Sequence, residues 1–321
     1  YSMAFRHIVV AGGGVLGAQI AFQTAFKGFD VTIWLRSEGS IGRTEPKLER
    51  LYNVYRAEIA RVEAALKAGE PLELPRGFGA ADSVKSEADI QRLYEAVETA
   101  KKNLKLSLDL EACAKEADFI IESMAEDREA KRGFYAKLAP YLDDKTIVAT
   151  NSSTMIPSMF SDLLPHPENY LALHFANNIW RSNTAEVMGH SGTSKEAFAA
   201  VLAFAAEIGM IPLELHKEQP GYILNSMLVP FLSSAEALWA NEVADPETID
   251  KTWKLGTGSP LGPFQILDIV GLQTAYNIVA MNPESANPES TPGKIAAGLK
   301  AKIDAGKTGI NAGEGFYRYE K

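Results

Sequence analysis

This sequence predicts a doubly wound α/β domain with a mostly parallel sheet and an inserted helical arm, followed by an all-helical domain. Three observations predict it. An apolar run, His7-Ile8-Val9-Val10-Ala11, ends in a cluster of glycines. Short apolar runs then alternate with helical periodicity as far as Lys217. From Gln219 onward only helical patterns remain. Alternating strands and helices are the pattern of a parallel sheet covered on both faces.

The first run reads as a buried parallel strand. Residues 15–27 read as a helix with Ile20, Phe22, Ala25 and Phe26 for burial and Gly28 as its stop. Residues 31–35 read as a second strand, completing a βαβ unit. The alternation then breaks. Leu48, Leu51, Tyr55, Ile59, Val62 and Leu66 recur at helical spacing and predict a long amphipathic helix. After a connection rich in Pro and Gly, Ile90, Leu93, Tyr94 and Val97 mark a second helix. The pair forms an arm over about residues 44–102, read either as solvated surface helices or as an arm touching substrate or a partner.

Strands are then expected at 104–108, 119–122, 146–150 and 171–175, with a late one at 211–215 and a helix at 128–142. Helices are expected at 222–239, 246–253, 263–281 and 291–305. The dinucleotide-binding domain is accordingly residues 3–217, and the helical domain 218–321. Tyr1 and Ser2, ahead of Met3, read as a cloning remnant.

The 321 residues carry a formal net charge of −9, which argues against a nucleic-acid partner. Cys113 is the only cysteine, so no disulfide can form within the chain and a metal site built on cysteines is not expected. A reducing cytoplasmic setting fits. No apolar run approaches the roughly 18 residues of a membrane span, so no membrane partner is expected.

Gly12-x-Gly14-x-x-Gly17 follows a strand, opens a helix and precedes another strand. That context makes it a dinucleotide-binding turn of Rossmann type. The first glycine permits the tight turn, the second lets backbone approach a pyrophosphate, and the third lets helix and sheet pack closely. Val15 and Leu16 open the helix, whose free N–H groups favour the pyrophosphate. A carboxylate for the adenosine ribose is expected at the end of the second strand, but Leu35 stands there, followed by Arg36 and Ser37, with Ser40 and Arg43 close behind. Without the carboxylate a 2′-phosphate meets no repulsion, and an arginine can pair with it. NADP is therefore the expected cofactor, with NAD as the alternative in which Arg36 only stacks on adenine.

Of five histidines, His174 stands near the C-terminal end of a predicted strand, where open α/β sheets bind ligands. His7 begins a strand and His166 lies between prolines. Glu186 follows His174 closely enough in sequence to orient the ring for general acid/base work. Thr150-Asn151-Ser152-Ser153-Thr154 closes another strand. Its hydroxyls either cap the next helix, the reading that suits Ser152 and Thr154, or aim at a substrate oxygen. Asn225, early in the first helix of the second domain, carries an amide that needs a partner if buried.

Together these segments resemble the L-3-hydroxyacyl-CoA dehydrogenase family over essentially the whole chain. Residues 149–154 resemble its A-S-N-T-S-S segment, which implies that Ser153 is the catalytic serine. His174-Phe175-Ala176-Asn177 resembles H-F-F-N and implies that His174 is the catalytic histidine, with Glu186 its partner. Pro220-Gly221-Tyr222-Ile223-Leu224-Asn225 is similar to P-G-F-I-x-N and gives Asn225 a catalytic role. Gly262-Pro263-Phe264 and Gly313-Glu314-Gly315-Phe316-Tyr317 resemble two further signatures. Glu126 and Lys131 fall where the family contacts its nicotinamide cofactor, and Asn151 is placed with them. No metal is implied.

Residues 17–26 and 245–253 look closer to the diketoreductase branch, and 178–185 depart from the usual apolar segment. These features favour a β-keto ester or diketone reductase. The alternatives are a 3-hydroxyacyl-CoA dehydrogenase acting on a CoA thioester such as 3-hydroxybutyryl-CoA, and a non-catalytic dinucleotide-binding or structural protein. Val229, Phe231, Leu232 and Leu238 form either an interface or the second domain's own core; the resemblance implies a homodimer.

Overall fold

The computed structural model describes residues 4–320; Met3, where the first domain was expected to begin, and Tyr1 and Ser2 lie outside them. The chain divides into two compact units, Tyr1–Ile223 and Leu224–Lys321.

In the first unit the order is β1 (His7–Ala11), α1 (Val15–Phe26), β2 (Asp30–Trp34), α2 (Glu38–Ala68), α3 (Glu87–Asn103) and β3 (Lys105–Ser107). Then come α4 (Leu110–Glu116), β4 (Phe119–Glu122), α5 (Arg128–Leu138), β5 (Ile147–Thr150) and β6 (Tyr170–Phe175). β7 (Thr184–Gly189), α6 (Lys195–Glu207) and β8 (Ile211–Leu215) close it. Among the described residues the eight strands form one sheet in the order β3-β2-β1-β4-β5-β6-β7-β8. Neighbours run parallel except β6 and β7. The order reverses between β1 and β4, and a crevice opens at the carboxyl ends of such strands.

Alternation along each central strand serves both faces. Ile8, Val10, Phe119 and Ile121 point into a core shared with α1, α2, α3 and α6. Val9, Ala11 and Ile120 point the other way, onto Cys113 and Ala114 of α4 and Phe134, Tyr135 and Leu138 of α5.

The arm differs from the expectation of solvated helices. α2 is 31 residues long and starts at Glu38, capped by Ser37. Its start was hidden by Pro46, a residue that normally breaks a helix interior. Leu51, Tyr55, Ile59 and Val62 of α2, with Ile90, Val97 and Ala100 of α3, are buried in the main core. Tyr55 donates to Gln23 Oε1 at 2.5 Å, and Gln23 Nε2 donates to the carbonyls of Gly77 and Ile208. The segment after β6 docks here too. The Trp180 ring lies 5.6 Å from that of Tyr55, Gly77 N–H donates to Trp180 O at 2.8 Å, and Arg181 pairs with buried Glu58. Residues 178–185, read from sequence as a mark of substrate, therefore have a packing role that accounts for their character.

The second unit contains α7 (Leu224–Ala240), α8 (Pro246–Thr257), α9 (Pro263–Val270), α10 (Leu272–Ala280) and α11 (Thr291–Asp304). The single helix expected over 263–281 is two, because Gly271, with φ +98°, takes a conformation that a helix cannot continue through. Leu232, Phe264, Leu267, Leu272 and Leu299 build the core, with Phe231 packed against it. Leu232 thus belongs to this unit's own core, whereas Leu238 is exposed.

Two buried aspartates explain the glycine-aromatic signatures. Asp250 accepts from the N–H groups of Phe264 and Gln265 at the start of α9 and from the Tyr317 hydroxyl. Asp268 accepts from the N–H groups of Phe316 and Tyr317 and from the Tyr319 hydroxyl. A Cβ at Gly262 would come within 2.4 Å of the Asp250 carboxylate, and one at Gly315 within 2.1 Å of Asp268 Oδ1. These motifs close the unit's fold.

Candidate active site

A cleft of about 460 Å³ lies over the carboxyl ends of β1, β4 and β5. Gly12, Gly14, Val15, Leu16, Gly17, Leu35 and Arg36 line it, as do Glu126, Lys131, Asn151 and Ser153. Ser37 does not: its Oγ accepts from Ser40 N–H as the N-cap of α2.

The glycines fit a dinucleotide, each for its own reason. Gly12 has φ +119°, and a Cβ there would lie 2.3 Å from Ser123 O. At Gly17 a Cβ would lie 2.3 Å from Gly12 O. A Cβ at Gly14 would meet no described atom within 4 Å; it would project into open space at the N-cap of α1. Backbone N–H groups and the positive helix end thus face the cleft, the donor set a pyrophosphate needs. The intervening loop is held from α2, where Thr44 Oγ1 and Lys47 Nζ donate to Gly13 O at 3.2 and 3.3 Å. Leu35 is buried against this turn, so the ribose carboxylate is absent. Arg36, Arg43 and Lys47 bring three cations to this end of the cleft. Lys47 escaped the sequence reading, which sought the phosphate partner only among residues 36–43 just after β2.

Beneath the cleft, Glu122 at the end of β4 is buried and saturated. Its Oε2 accepts from Lys131 Nζ at 2.6 Å and Met124 N–H at 2.9 Å. Its Oε1 accepts from Tyr135 Oη at 2.9 Å and Thr150 Oγ1 at 2.7 Å. Lys131, expected at the cofactor, is only 1 % exposed, and its ammonium is engaged by Glu122 and Met124 O. Glu126 is more open and reaches the turn after β5. It accepts from Ser152 Oγ at 2.7 Å and Ser153 N–H at 2.8 Å. Ser152 Oγ also accepts from Met155 N–H, so it closes a turn rather than capping the helix expected there. Asn151 Oδ1 accepts from Phe175 N–H at 3.2 Å, tying β5 to β6.

Ser153 and His174 are brought together: Oγ and Nε2 lie 3.1 Å apart. His174 sits on β6 opposite Glu186 on β7, in register across the antiparallel pair. Its Nδ1 is 3.4 Å from Glu186 Oε1, and both side chains are buried. Residues directly opposite on one face meet, so this strand pair fixes the histidine and its carboxylate. The sequence reading expected Glu186 beside His174 but did not foresee β7, whose stretch lacks a clean alternation. Asn177 turns instead toward α1, where its Oδ1 accepts from Gln19 Nε2 at 2.9 Å.

Tyr222 was read as the start of a helix. It lies instead in a turn before α7, at φ +54°. Its ring stacks on the His174 imidazole, with centroids 4.4 Å apart and planes 13° from parallel. Its hydroxyl donates to Ser152 O at 2.7 Å. Burial, reinforced by the charges of Glu126, Glu186 and Glu122, pushes this hydroxyl far above its ordinary range, so it remains a donor. The next N–H, of Ile223, donates to Glu186 Oε2 at 2.7 Å. Asn225 belongs to the second unit, as the second residue of α7, and is half-buried. Among the described residues no cluster of three or more His, Cys, Asp or Glu side chains could hold a metal, and no helix is long and apolar enough to cross a membrane.

An ordered line of hydroxyl, imidazole and carboxylate beside a dinucleotide cleft can move a proton at an oxygen whose carbon exchanges a hydride. Comparison with known proteins bears on that chemistry. Residues 7–219 match the model of the 3-hydroxyacyl-CoA dehydrogenase NAD-binding domain, and residues 221–319 match that of the 3-hydroxyacyl-CoA dehydrogenase C-terminal domain. Mitochondrial hydroxyacyl-coenzyme A dehydrogenase of Homo sapiens is 29% identical over 318 residues, covering 98% of this chain and 91% of that protein. A solved diketoreductase, described as performing substrate-directed dual catalysis of dicarbonyl compounds, is 43% identical with a TM-score of 0.83. That match covers 99% of this chain and 100% of the other. The structure of FadB2 from M. tuberculosis is 25% identical with a TM-score of 0.74, over 99% of this chain and 100% of that one.

Proposed function

This chain belongs to the 3-hydroxyacyl-CoA dehydrogenase family of oxidoreductases acting on CH–OH groups, and we propose that it reduces a β-keto ester or diketone with NADPH. The observation that carries the chemistry is the line Ser153 Oγ, His174 Nε2, His174 Nδ1 and Glu186 at the ends of β5, β6 and β7. The substrate class is supported by the 43% identity to a diketoreductase along the whole chain.

When bound, the nicotinamide supplies or takes up the hydride. The residues handle the proton. Glu186 accepts the Nδ1–H of His174, which leaves Nε2 to exchange a proton with the substrate oxygen. In reduction the Nε2 proton passes to the oxygen as the carbonyl carbon gains the hydride, leaving the ring neutral. In oxidation the neutral Nε2 takes the hydroxyl proton. Ser153 Oγ, held through its backbone by Glu126, donates to the same oxygen. Asn225 is proposed as a further substrate contact on its motif alone, and Asn225→Ala kinetics test it. Orientation and preorganised charge lower the barrier.

NADP is preferred in this reading because Leu35 replaces the ribose carboxylate while Arg36, Arg43 and Lys47 gather nearby. The deciding experiment is a substrate panel of diketo esters, acetoacetyl-CoA and hydroxy acids, run with both cofactors. The highest kcat/KM is expected for a diketo or β-keto ester with NADPH. A clear lead for acetoacetyl-CoA would favour the second reading, a CoA-thioester dehydrogenase, which the relationship to the human enzyme supports. A lead for NADH would overturn the cofactor preference. Activity toward none of them would favour a non-catalytic role. The assembly is proposed to be a homodimer, which light scattering showing only monomer would refute. A cytoplasmic location is proposed from the single cysteine, Cys113, and is tested by fractionation.

A further inference from the structure

The turn that ends the first unit touches two members of the proton-transfer line, His174 and Glu186, and the residue before the third. Tyr222 lays its ring on one face of the His174 imidazole, 4.4 Å away and nearly parallel. Its hydroxyl holds Ser152 O, one residue before Ser153. Ile223 N–H, one residue on, holds Glu186 Oε2. The backbone reaches this arrangement only by placing Tyr222 at φ +54°, a conformation unfavourable for a bulky side chain. Such strain persists where surrounding contacts over-determine it, and it collects at functional sites.

Two edge contacts, at Nε2 and Nδ1, define an axis through the His174 ring. They leave rotation about that axis resisted only by what packs on the ring faces. A flat aromatic side chain stacked on one ring face resists that rotation. An aliphatic side chain would fill space without presenting that flat face.

We propose that Tyr222 is a positioning residue for the reaction, acting through His174: its stacked ring sets the imidazole plane so that Nε2 faces the reacting oxygen. The inference rests on the proton-transfer reading above and adds to it a residue outside the Ser153, His174, Glu186 and Asn225 set.

The test compares Tyr222→Phe, which keeps the ring, with Tyr222→Leu, which removes it. Tyr222→Asn, whose side chain tolerates the left-handed backbone, serves if the leucine variant does not fold. Circular dichroism and Tm establish folding. The truncations are expected to lower kcat by roughly 10–100-fold, the scale of a catalytic group misplaced by about 1 Å, while KM stays within about threefold. Their solvent deuterium isotope effect on kcat should rise as proton transfer becomes rate-limiting. Tyr222→Phe should keep kcat within about threefold of the parent and retain its isotope effect. The parent enzyme should show His174 ring C–H resonances shifted upfield by the stacked ring, a signal absent from the truncations. A folded truncation with parental kcat and isotope effect would overturn the inference. So would a phenylalanine variant as impaired as the truncations, or a parent spectrum without the upfield shift. His174→Ala separates the two layers: if it stays active, the proton-transfer reading itself falls. If it is inactive while the Tyr222 truncations behave as the parent, only the positioning role falls.

Discussion

The Lys131 ammonium lies 2.6 Å from Glu122 Oε2, and both side chains are buried beneath the cofactor cleft. The four donors on Glu122 come from α5, from β5 and from the turn after β4. The pair therefore joins the floor of the cleft to the strand that leads into Ser153.

Lys131→Met should destabilise the protein by about 3–5 kcal/mol, because it strands a buried carboxylate. Denaturant unfolding measures this. Adding Glu122→Gln to Lys131→Met should recover part of the loss. A single variant as stable as the parent would show that Glu122 is otherwise compensated.

Glu186→Gln preserves shape and removes charge. With Ile223 N–H and His174 Nδ1 both directed at the carboxylate, the amide must present a donor to one of them. A fall in kcat of about tenfold or more, up to the 10²–10⁴-fold range of lost acid/base catalysis, is expected with little change in KM. Steady-state kinetics that matched the parent would reduce Glu186 to a packing role.

Lys47→Ala and Arg43→Ala should each raise KM for NADPH by roughly tenfold, the scale of one lost hydrogen bond to a charged group. KM for NADH should change little. An equal rise for both cofactors would assign Lys47 to the shared pyrophosphate region instead, consistent with its bond to Gly13 O.

Glu236, on α7, is 6 % exposed, and its Oε2 has no hydrogen-bond partner among the described residues. Burial pushes its carboxyl up to about 7. A native carboxyl raised above its unfolded value favours the protonated fold. Its stabilising effect is complete below pH ~4.5 and is lost as pH rises through about 7. Glu236→Gln should therefore gain stability over the parent at pH 8, by at most on the order of 3 kcal/mol, and almost none at pH 4.5. Tm measured at both pH values decides it. Equal differences at the two would refute the titration.

Much of this architecture is legible in the residues, and the misreadings have physical causes. β1, α1 and the glycine turn between them show because burial on both sheet faces and the demands of Gly12 and Gly17 leave few alternatives. β7 does not show, since Thr184 to Gly189 mixes polar and apolar residues and gains its meaning only opposite β6. Pro46 and Gly271 misled in opposite senses. The first lies within a helix despite lacking an N–H, and the second ends one that the apolar periodicity seemed to continue. Ser153, His174 and Glu186 were singled out as candidates through strand ends and motif spacing. Tyr222 was not, because a tyrosine at positive φ carries no local signature, and its partners are 48 and 70 residues away in sequence, at His174 and Ser152. Asp250 and Asp268 were overlooked likewise, since a buried carboxylate that caps distant backbone looks in sequence like any acidic helix residue.

The antiparallel pairing of β6 with β7 also bears on how this protein assembles. His174 and Glu186 are 12 residues apart and meet across a single reversal of the chain. The pairing of β1 with β4, by contrast, must bring Ile8 to Phe119 around all the intervening helices. Closing a short loop forfeits less chain entropy than closing a long one, and local contacts form sooner. The histidine and its carboxylate thus occupy one of the segments of the sheet that needs least of the remaining chain to find its pairing, and lesions that slow the distant strand closures need not scramble the alignment of these two side chains.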